Sequence, residues 1–286
     1  MRSRPSSATG ATSMDYVVRV REPRPGEAHH AQSYVTTDRD GGRYDSPQRA
    51  EVIFKKVQMS GVDFSGVDFK GGFSSWGATF SACDFRRTRL SDQWGSSFGI
   101  SRDLSFYRDC RFDGADLRHS DPGRARFERC TFDGARIEEW DAERADFVDC
   151  RFSTRLLRCA FYGQSRVHRE DPVRYRMTEF RGNDFRQAEL IDTAFRAAVD
   201  ISAQLWPDDP RYLRLDRLDE RIPKVRAEVS GWPLGEARRE ALGMLKVYSG
   251  DVFNWDQRED IYYRDDLDSV PKEIRDRVWS MLEHAL

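Results

Sequence analysis

The side chains of this chain best suited to chemistry are five cysteines, a histidine pair and a knot of carboxylates. Cys83, Cys110, Cys130, Cys150 and Cys159 offer thiolates for metal binding or nucleophilic attack. Their spacing argues otherwise. Three of them fall at positions 110, 130 and 150, and each holds a place that alanine fills in neighbouring segments. A closed metal site normally needs four converging ligands, so these cysteines read as small core residues. His29 and His30 stand in a leader rich in Pro, Arg and Gly, with no partner motif beside them. Glu138, Glu139, Asp141 and Glu143 have the makings of an acid/base pair, yet they occupy positions where solvated side chains are expected. The sequence holds no glycine-rich phosphate loop, HExxH, G-x-S-x-G or Cys-x-x-Cys motif. The reading is a non-enzyme that needs no metal and no cofactor.

Composition narrows the class further. The 286 residues carry 47 basic and 49 acidic side chains, a formal charge of −2, and so a solvated surface of mixed sign. Acids and bases balance over residues 51–200, which does not describe a protein that binds nucleic acid directly. Two local imbalances stand out: seven acids against two arginines over 131–150, then five arginines against one acid over 151–170. Met1 to Met14 contain no apolar run of the kind a secretory signal needs, and no later stretch approaches the length of a membrane span. The expected compartment is the cytoplasm, with no membrane contact.

What positions these residues is a repeat. From Phe112 large apolar residues recur at every fifth position, through Leu117, Phe127, Phe132, Ile137, Phe147, Phe152, Leu157 and Tyr162, with gaps at 122 and 142. A small residue stands two places before most of them: Cys110, Ala115, Ala125, Cys130, Ala135, Ala145 and Cys150. A period of five fits neither the 3.6 of a helix nor the 2.0 of a strand. It calls for a backbone that turns a corner once per repeat. The segment from Phe112 to Leu117 returns as Phe132 to Ile137, so four repeats make one revolution. Phe112, Phe132 and Phe152 should then form one internal column, and Cys110, Cys130 and Cys150 another, at the ~4.8 Å strand spacing.

On the side that carries positions 122 and 142 the pattern is inverted. Trp140 takes the small position and Ala142 and Pro122 the large ones, an exchange that conserves volume. Arg155 falls on a small inward position and predicts a loosened coil there. The same beat runs through Phe54, Met59, Phe64 and Phe69, with Val52, Val57, Val62 and Val67 before them. It resumes at Phe80, Phe85 and Leu90, and again at Phe180, Phe185, Leu190 and Phe195. The changes of phase mark interruptions near 91–104 and 163–177. The second is polar and is expected to project as a loop.

Val62-Asp63-Phe64, Val67-Asp68-Phe69, Cys83-Asp84-Phe85, Ala115-Asp116-Leu117 and Ala145-Asp146-Phe147 resemble the motif of the pentapeptide-repeat family. The resemblance covers about half of the chain and implies a right-handed quadrilateral β-helix. It also implies a binding role. The best-known bacterial members imitate duplex DNA, bind type II topoisomerases such as DNA gyrase and protect them from quinolones or peptide toxins; some dimerise through C-terminal segments.

The expected organisation is therefore a leader and N-terminal cap over residues 1–50, with one strand-like run from Tyr16 to Val20. The β-helix follows over 51–200, and an α-helical unit over 201–286. In that unit one helix should start at Asp209-Pro210, run through Leu213, Leu218, Ile222 and Val225, and stop at Gly231. A second should span Gly235 to Tyr248, and a third begin near Val270-Pro271. Four aromatics, seven acids and two arginines crowd residues 251–268. Candidate partner-binding residues are Glu138, Glu139 and Asp141 on the solenoid; Arg166, His168 and Arg169 in the second interruption; and Trp255, Asp260, Tyr262 and Asp265 in the acidic aromatic segment. A protein partner, a type II topoisomerase among the candidates, is the leading expectation. The alternative is a scaffold that self-associates as a homodimer or docks through its C-terminal helices, whose apolar faces could instead close the end of the solenoid.

Overall fold

The computed structural model of the chain describes residues 32–45, 50–90, 96–118, 120–165, 170 and 177–286. The leader with its Tyr16 to Val20 run and His29-His30 lies outside the described residues, as do Arg166, His168 and Arg169.

The corner demanded by the five-residue period is visible in the backbone. Two residues past the large inward side chain, φ repeatedly enters the left-handed region, at Gly61 (60°), Gly66 (70°), Gly114 (67°) and Gly134 (63°). Glycine adopts this conformation without a Cβ penalty. Lys56, Ala82, Asp109, Arg129 and Asp149 adopt it too, at φ between 51° and 54°. Between corners the chain is extended just long enough to pair with the coil above and below. On the second side of the coil, Met59, Phe80, Tyr107, Phe127, Phe147 and Phe180 are in-register partners in a seven-stranded parallel sheet. The third side is built from single parallel bridges that run from Arg43 through Asp63, Asp84, Arg111, Thr131, Arg151 and Asp184 to Leu205. Four such sides wound in this way make a right-handed quadrilateral β-helix.

In-register pairing stacks like side chains on like. Tyr44, Phe64, Phe85, Phe112, Phe132, Phe152, Phe185 and Trp206 form one continuous column of rings. Phe112 and Phe132 lie 5.1 Å apart at 7°, and Phe132 and Phe152 4.8 Å apart at 3°. A second column runs through Phe80, Tyr107, Phe127 and Phe147. Leu117 and Ile137 are buried on the fourth side, with Ala115 and Ala135 at the small positions before them. Each buried ring or Leu contributes on the order of 1.5–3 kcal/mol, so the stack is held by its own interior.

The small-position column is Val62, Cys83, Cys110, Cys130 and Cys150, continued by Asn183 and Gln204. Each inner thiol donates to a carbonyl of the preceding coil, Cys110 to Phe80 (3.5 Å), Cys130 to Tyr107 (3.3 Å) and Cys150 to Phe127 (3.4 Å). Where the column turns polar, its hydrogen bonds are met: Asn183 Nδ2 donates to the Phe147 carbonyl at 2.9 Å, and Asn183 Oδ1 accepts from the Cys150 amide at 3.1 Å. Trp140 and Ala142 are both buried, and the indole Nε1 donates to Ser120 Oγ (3.1 Å) and to the Leu117 carbonyl (3.2 Å). The same exchange of large and small occurs at Phe73 and Ser75, where Ser75 Oγ donates to Ser105 Oγ at 2.8 Å.

Several expectations need correction. Arg155 does not face inward: its side chain is 60% exposed, and Leu156 is the buried residue, aligned with Ile137. The corner after Phe152 is one residue shorter than the corner after Phe132, so the next inward residue arrives one place early. The coil is tightened there, not loosened. For the same reason Phe161, which stacks on Phe195, replaces Tyr162 as the large inward residue. Within the interruption expected over 91–104, Ser97 bridges Ser74 and Asp121, and Phe98 is fully buried. At the start, residues 32–45 already form a coil: Gln32–Val35 pairs with Glu51–Lys55, Arg39 with Met59, and Arg43 with Asp63.

Beyond Trp206 the chain is not purely helical. Leu213 belongs to a strand, Tyr212–Leu215, paired antiparallel with Asp260–Tyr263. Leu213 and Leu215 are buried on alternate positions, a period of two that belongs to a strand. Three helices follow the strand or flank its partner: α1 (Leu218–Ser230), α2 (Glu236–Trp255) and α3 (Lys272–His284). α2 passes Ser249-Gly250, where a stop was expected, because Val252 is buried and Trp255 packs on Tyr162 of the solenoid at 5.2 Å. Arg221 of α1 donates to the Leu282 and Glu283 carbonyls and so terminates α3. Tyr248, Tyr262 and Trp279 meet at the centre of this second core.

The helical unit closes the end of the solenoid with side chains. Tyr212 Oη accepts from the Leu190 amide (3.0 Å), and Asp266 Oδ1 from the Asp192 amide (3.0 Å). Gln257 accepts from the Val199 amide and donates to its carbonyl, both at 2.9 Å. Ile261 completes the contact by joining the solenoid core. An open strand edge is a template for unwanted pairing, and here three of its amides are engaged.

Candidate protein-binding surface

With rings, leucines and thiols inside, the outward columns carry the recognition chemistry. Burial pushes the thiols of Cys110, Cys130 and Cys150 well above their ordinary range, and that of Cys159 up to about 11, so none of these four is a poised nucleophile; Cys83 is lowered by its hydrogen bond with Cys110 but is itself buried.

On the third face the outward positions read Arg43, Asp63, Asp84, Arg111, Thr131, Arg151, Asp184 and Leu205, with charges of both signs throughout. Ion pairs stitch this face within and between coils: Arg43 to Asp63 (3.0 Å), Arg86 to Asp84 (2.5 Å), Arg111 to Asp113 (3.0 Å), Arg151 to Asp133, and Arg186 to Asp184 (2.7 Å). The fourth face reads Asp68, Arg89, Asp116 and Arg136, then Arg155 and Glu189. Its cross-coil pairs are looser, at 3.8 Å for Asp68 and Arg89, 3.8 Å for Asp116 and Arg136, and 3.9 Å for Arg155 and Glu189. Exposed pairs of this kind contribute little to stability, so their consequence is a surface of interleaved sign, alternating on the fourth face from Asp68 to Arg136 but not on the third, where Asp63 and Asp84 are neighbours.

The second face holds a tighter network. Arg126 contacts Glu128 (2.5 Å), Glu179 (2.6 Å) and the fully buried Asp146 (3.3 Å), and Arg108 reaches Glu128 at 3.1 Å. Burial disfavours the Arg126 charge, yet the bonds to Glu128 and Glu179 prevail and hold it firmly protonated. Acids also gather at the corner between the fourth and first faces. Asp141 is exposed, while Glu138 and Glu139 share Arg158 at 3.8 and 3.0 Å.

A cleft of about 720 Å³ on the third face is lined by Asp133, Arg151, Ser153, Asp184, Arg186 and Gln187. Its two guanidiniums each bind a carboxylate, Arg151 that of Asp133 and Arg186 that of Asp184.

The acidic aromatic segment is not a single surface. Asp260 and Tyr262 are buried in the strand opposite Tyr212–Leu215, and Trp255 is packed against Tyr162 with Arg196 over its ring at 5.8 Å. Asp265 alone of the four is exposed. Glu138, Glu139 and Asp141 lie together at one corner, far along the chain from Asp265. The outward Arg and Asp columns were missed as a site; their signal was the residue between the small and large positions of each repeat.

Comparison with known proteins agrees with the geometry. The family model for pentapeptide repeats matches residues 110–153, in eight copies. The chain carries a pentapeptide-repeat β-helix. Among solved structures it is similar to a trypsin-treated form of QnrB1, a plasmid-mediated fluoroquinolone resistance protein, with 12% identity over 60% of this chain and 80% of that one and a TM-score of 0.30. It is also similar to HetL, a pentapeptide repeat protein involved in heterocyst differentiation regulation from the cyanobacterium Nostoc sp. strain PCC 7120, with 14% identity over 61% and 87% and a TM-score of 0.28. A third is the pentapeptide repeat protein Rfr23 from the cyanobacterium Cyanothece 51142, with 9% identity over 61% and 90% and a TM-score of 0.18. No curated protein matches. Among the described residues no helix is long and apolar enough to cross a membrane.

Proposed function

We propose that the chain is a non-enzymatic protein-binding module, in which a stiff four-sided stack presents fixed columns of charge to a protein partner. The observation that carries this reading is the interleaving of Arg and Asp along the third and fourth faces, paired within a coil or with the next one. A rigid ladder loses little conformational entropy on binding, which suits recognition of an extended partner surface. Imitation of a duplex requires a continuous negative stripe along the axis. Columns of mixed sign favour a partner read by shape and paired charge over a DNA-binding groove of the kind found in a type II topoisomerase.

Two measurements test the reading. DNA gyrase supercoiling and drug-induced cleavage, run with and without the protein, should be unchanged; inhibition or protection would overturn the choice of partner class. Crosslinking in extracts of the native host should yield an adduct on the third or fourth face that is lost on Arg89→Glu with Arg136→Glu. Adducts indifferent to that reversal would remove the charge columns from the account. The scaffold alternative, self-association through the helical unit, has less support, because the apolar faces of that unit are buried in its own core and, through Ile261 and Trp255, against the solenoid.

A further inference from the structure

Of the groups that close the end of the solenoid, Tyr212, Gln257 and Asp266, only Asp266 can change its charge in the physiological range. Its carboxyl sits between the last coil and the helical unit and is partly buried there. The groups around it are mostly acidic. Asp192 faces it from the corner of the last coil, and Asp265 precedes it in its own loop. Arg275 of α3 is the cation that acts on it, and donates to the backbone carbonyl of Asp266 at 3.3 Å. Tyr248 of α2 feels the charges of Asp266 and of Asp260 from the strand behind. Charging Asp266 therefore places an ion in a partly dry junction with acids on two sides.

We propose that Asp266 makes the docking of the helical unit on the last coil proton-dependent, firm while its carboxyl is neutral and loosened when it ionises. In the neutral form Oδ1 still accepts from the Asp192 amide, and the proton resides on the other oxygen. Burial, with Asp192 and Asp265 adding to it, raises the group from 3.8 to about 6. The sign follows from linkage. The docked state binds the proton more tightly than the undocked one, so docking is strongest below pH 4 and weakens as pH rises to about 6, then stays level. The full shift corresponds to a change of about 100-fold in the docking equilibrium, of which about tenfold falls above pH 5.

Amide hydrogen exchange on the full chain, corrected for intrinsic rates, reads this directly. Between pH 5 and pH 8 the protection of the Leu190, Asp192 and Val199 amides should fall about tenfold, while that of Phe112 and Phe132 holds. Asp266→Asn keeps the acceptor and should abolish the fall. A pH-independent wild type, or an equal fall in the variant, overturns the proposal. Should Asp266→Asn fail to fold, Asp192→Asn supplies the second test: it removes a facing charge, keeps the backbone donor, and must move the midpoint to lower pH. A midpoint that stays in place is equally fatal.

Discussion

Replacing Phe132 by alanine should break the fold's main internal column at its middle. The ring is fully buried, parallel to Phe112 at 5.1 Å and to Phe152 at 4.8 Å, and meets Trp140 edge-on at 6.0 Å. Loss of a buried Phe side chain costs about 3–5 kcal/mol, which includes the cavity left behind. Aromatic pairs add about 0.5–1.5 kcal/mol each, and two stacked partners are lost at once. The upper part of that range, about 4–5 kcal/mol, is therefore expected. Neighbouring coils cannot collapse into the space, since Phe127 and Trp140 are fixed by their own stacks. Phe106 supplies the control. It lies on the outward side of the same coil stack, with Arg108 over its ring at 4.4 Å, and its replacement by alanine should cost about 1 kcal/mol or less. Urea unfolding followed by far-ultraviolet circular dichroism, fitted with a common slope, gives both values. Equal costs for the two alanine variants would refute the inward column.

The corners make a paired prediction. Gly134→Ala meets no atom within 4 Å but forces a Cβ onto φ 63°, and should destabilise by about 1 kcal/mol through backbone strain alone. Ala82→Gly, exposed at φ 51°, should stabilise by about 0.5–1 kcal/mol, and thermal melts of the two variants should shift in opposite directions. Hydrogen bonds from Arg129, Arg118, Arg186 and Arg126 hold Asp109, Asp116, Asp184 and Glu179 below their ordinary range. A carboxylate depressed in the folded state contributes stability above its unfolded pKa and loses it as pH falls, so the melting temperature should drop steadily below about pH 4 and be flat in this contribution above pH 5.

How much could be read from the sequence follows from which features are local. The five-residue beat is local, and it located Phe112, Phe132 and Phe152 and the inverted pair Trp140 and Ala142 correctly in the interior. A single missing residue after Phe152 was invisible to a pattern that assumes constant length, so Arg155, Leu157 and Tyr162 were placed one position out of register. Phe73 and Phe98 escaped because each lies at a change of phase, where only pairing with the next coil, such as Ser74 with Ser97, reveals the side it belongs to. The charge columns were illegible for a related reason. Asp84 pairs with Arg111 and Arg151 with Asp184, separations set by insertions and not by the twenty-residue step. In the helical unit, short range misled: Leu213 and Leu218 look like one helix face until the strand Asp260–Tyr263 arrives from far along the chain to pair with Tyr212–Leu215.

Thiol labelling of the native protein bears most directly on the claim that the small side chains line a closed interior. Cys83, Cys110, Cys130, Cys150 and Cys159 are all buried and free. Mass spectrometry after brief exposure to a maleimide should find the five unmodified at pH 7.5, with all of them labelled together once urea passes the unfolding midpoint. Rapid modification of Cys110, Cys130 or Cys150 under native conditions would contradict the stacked coil on which the proposed surface is built.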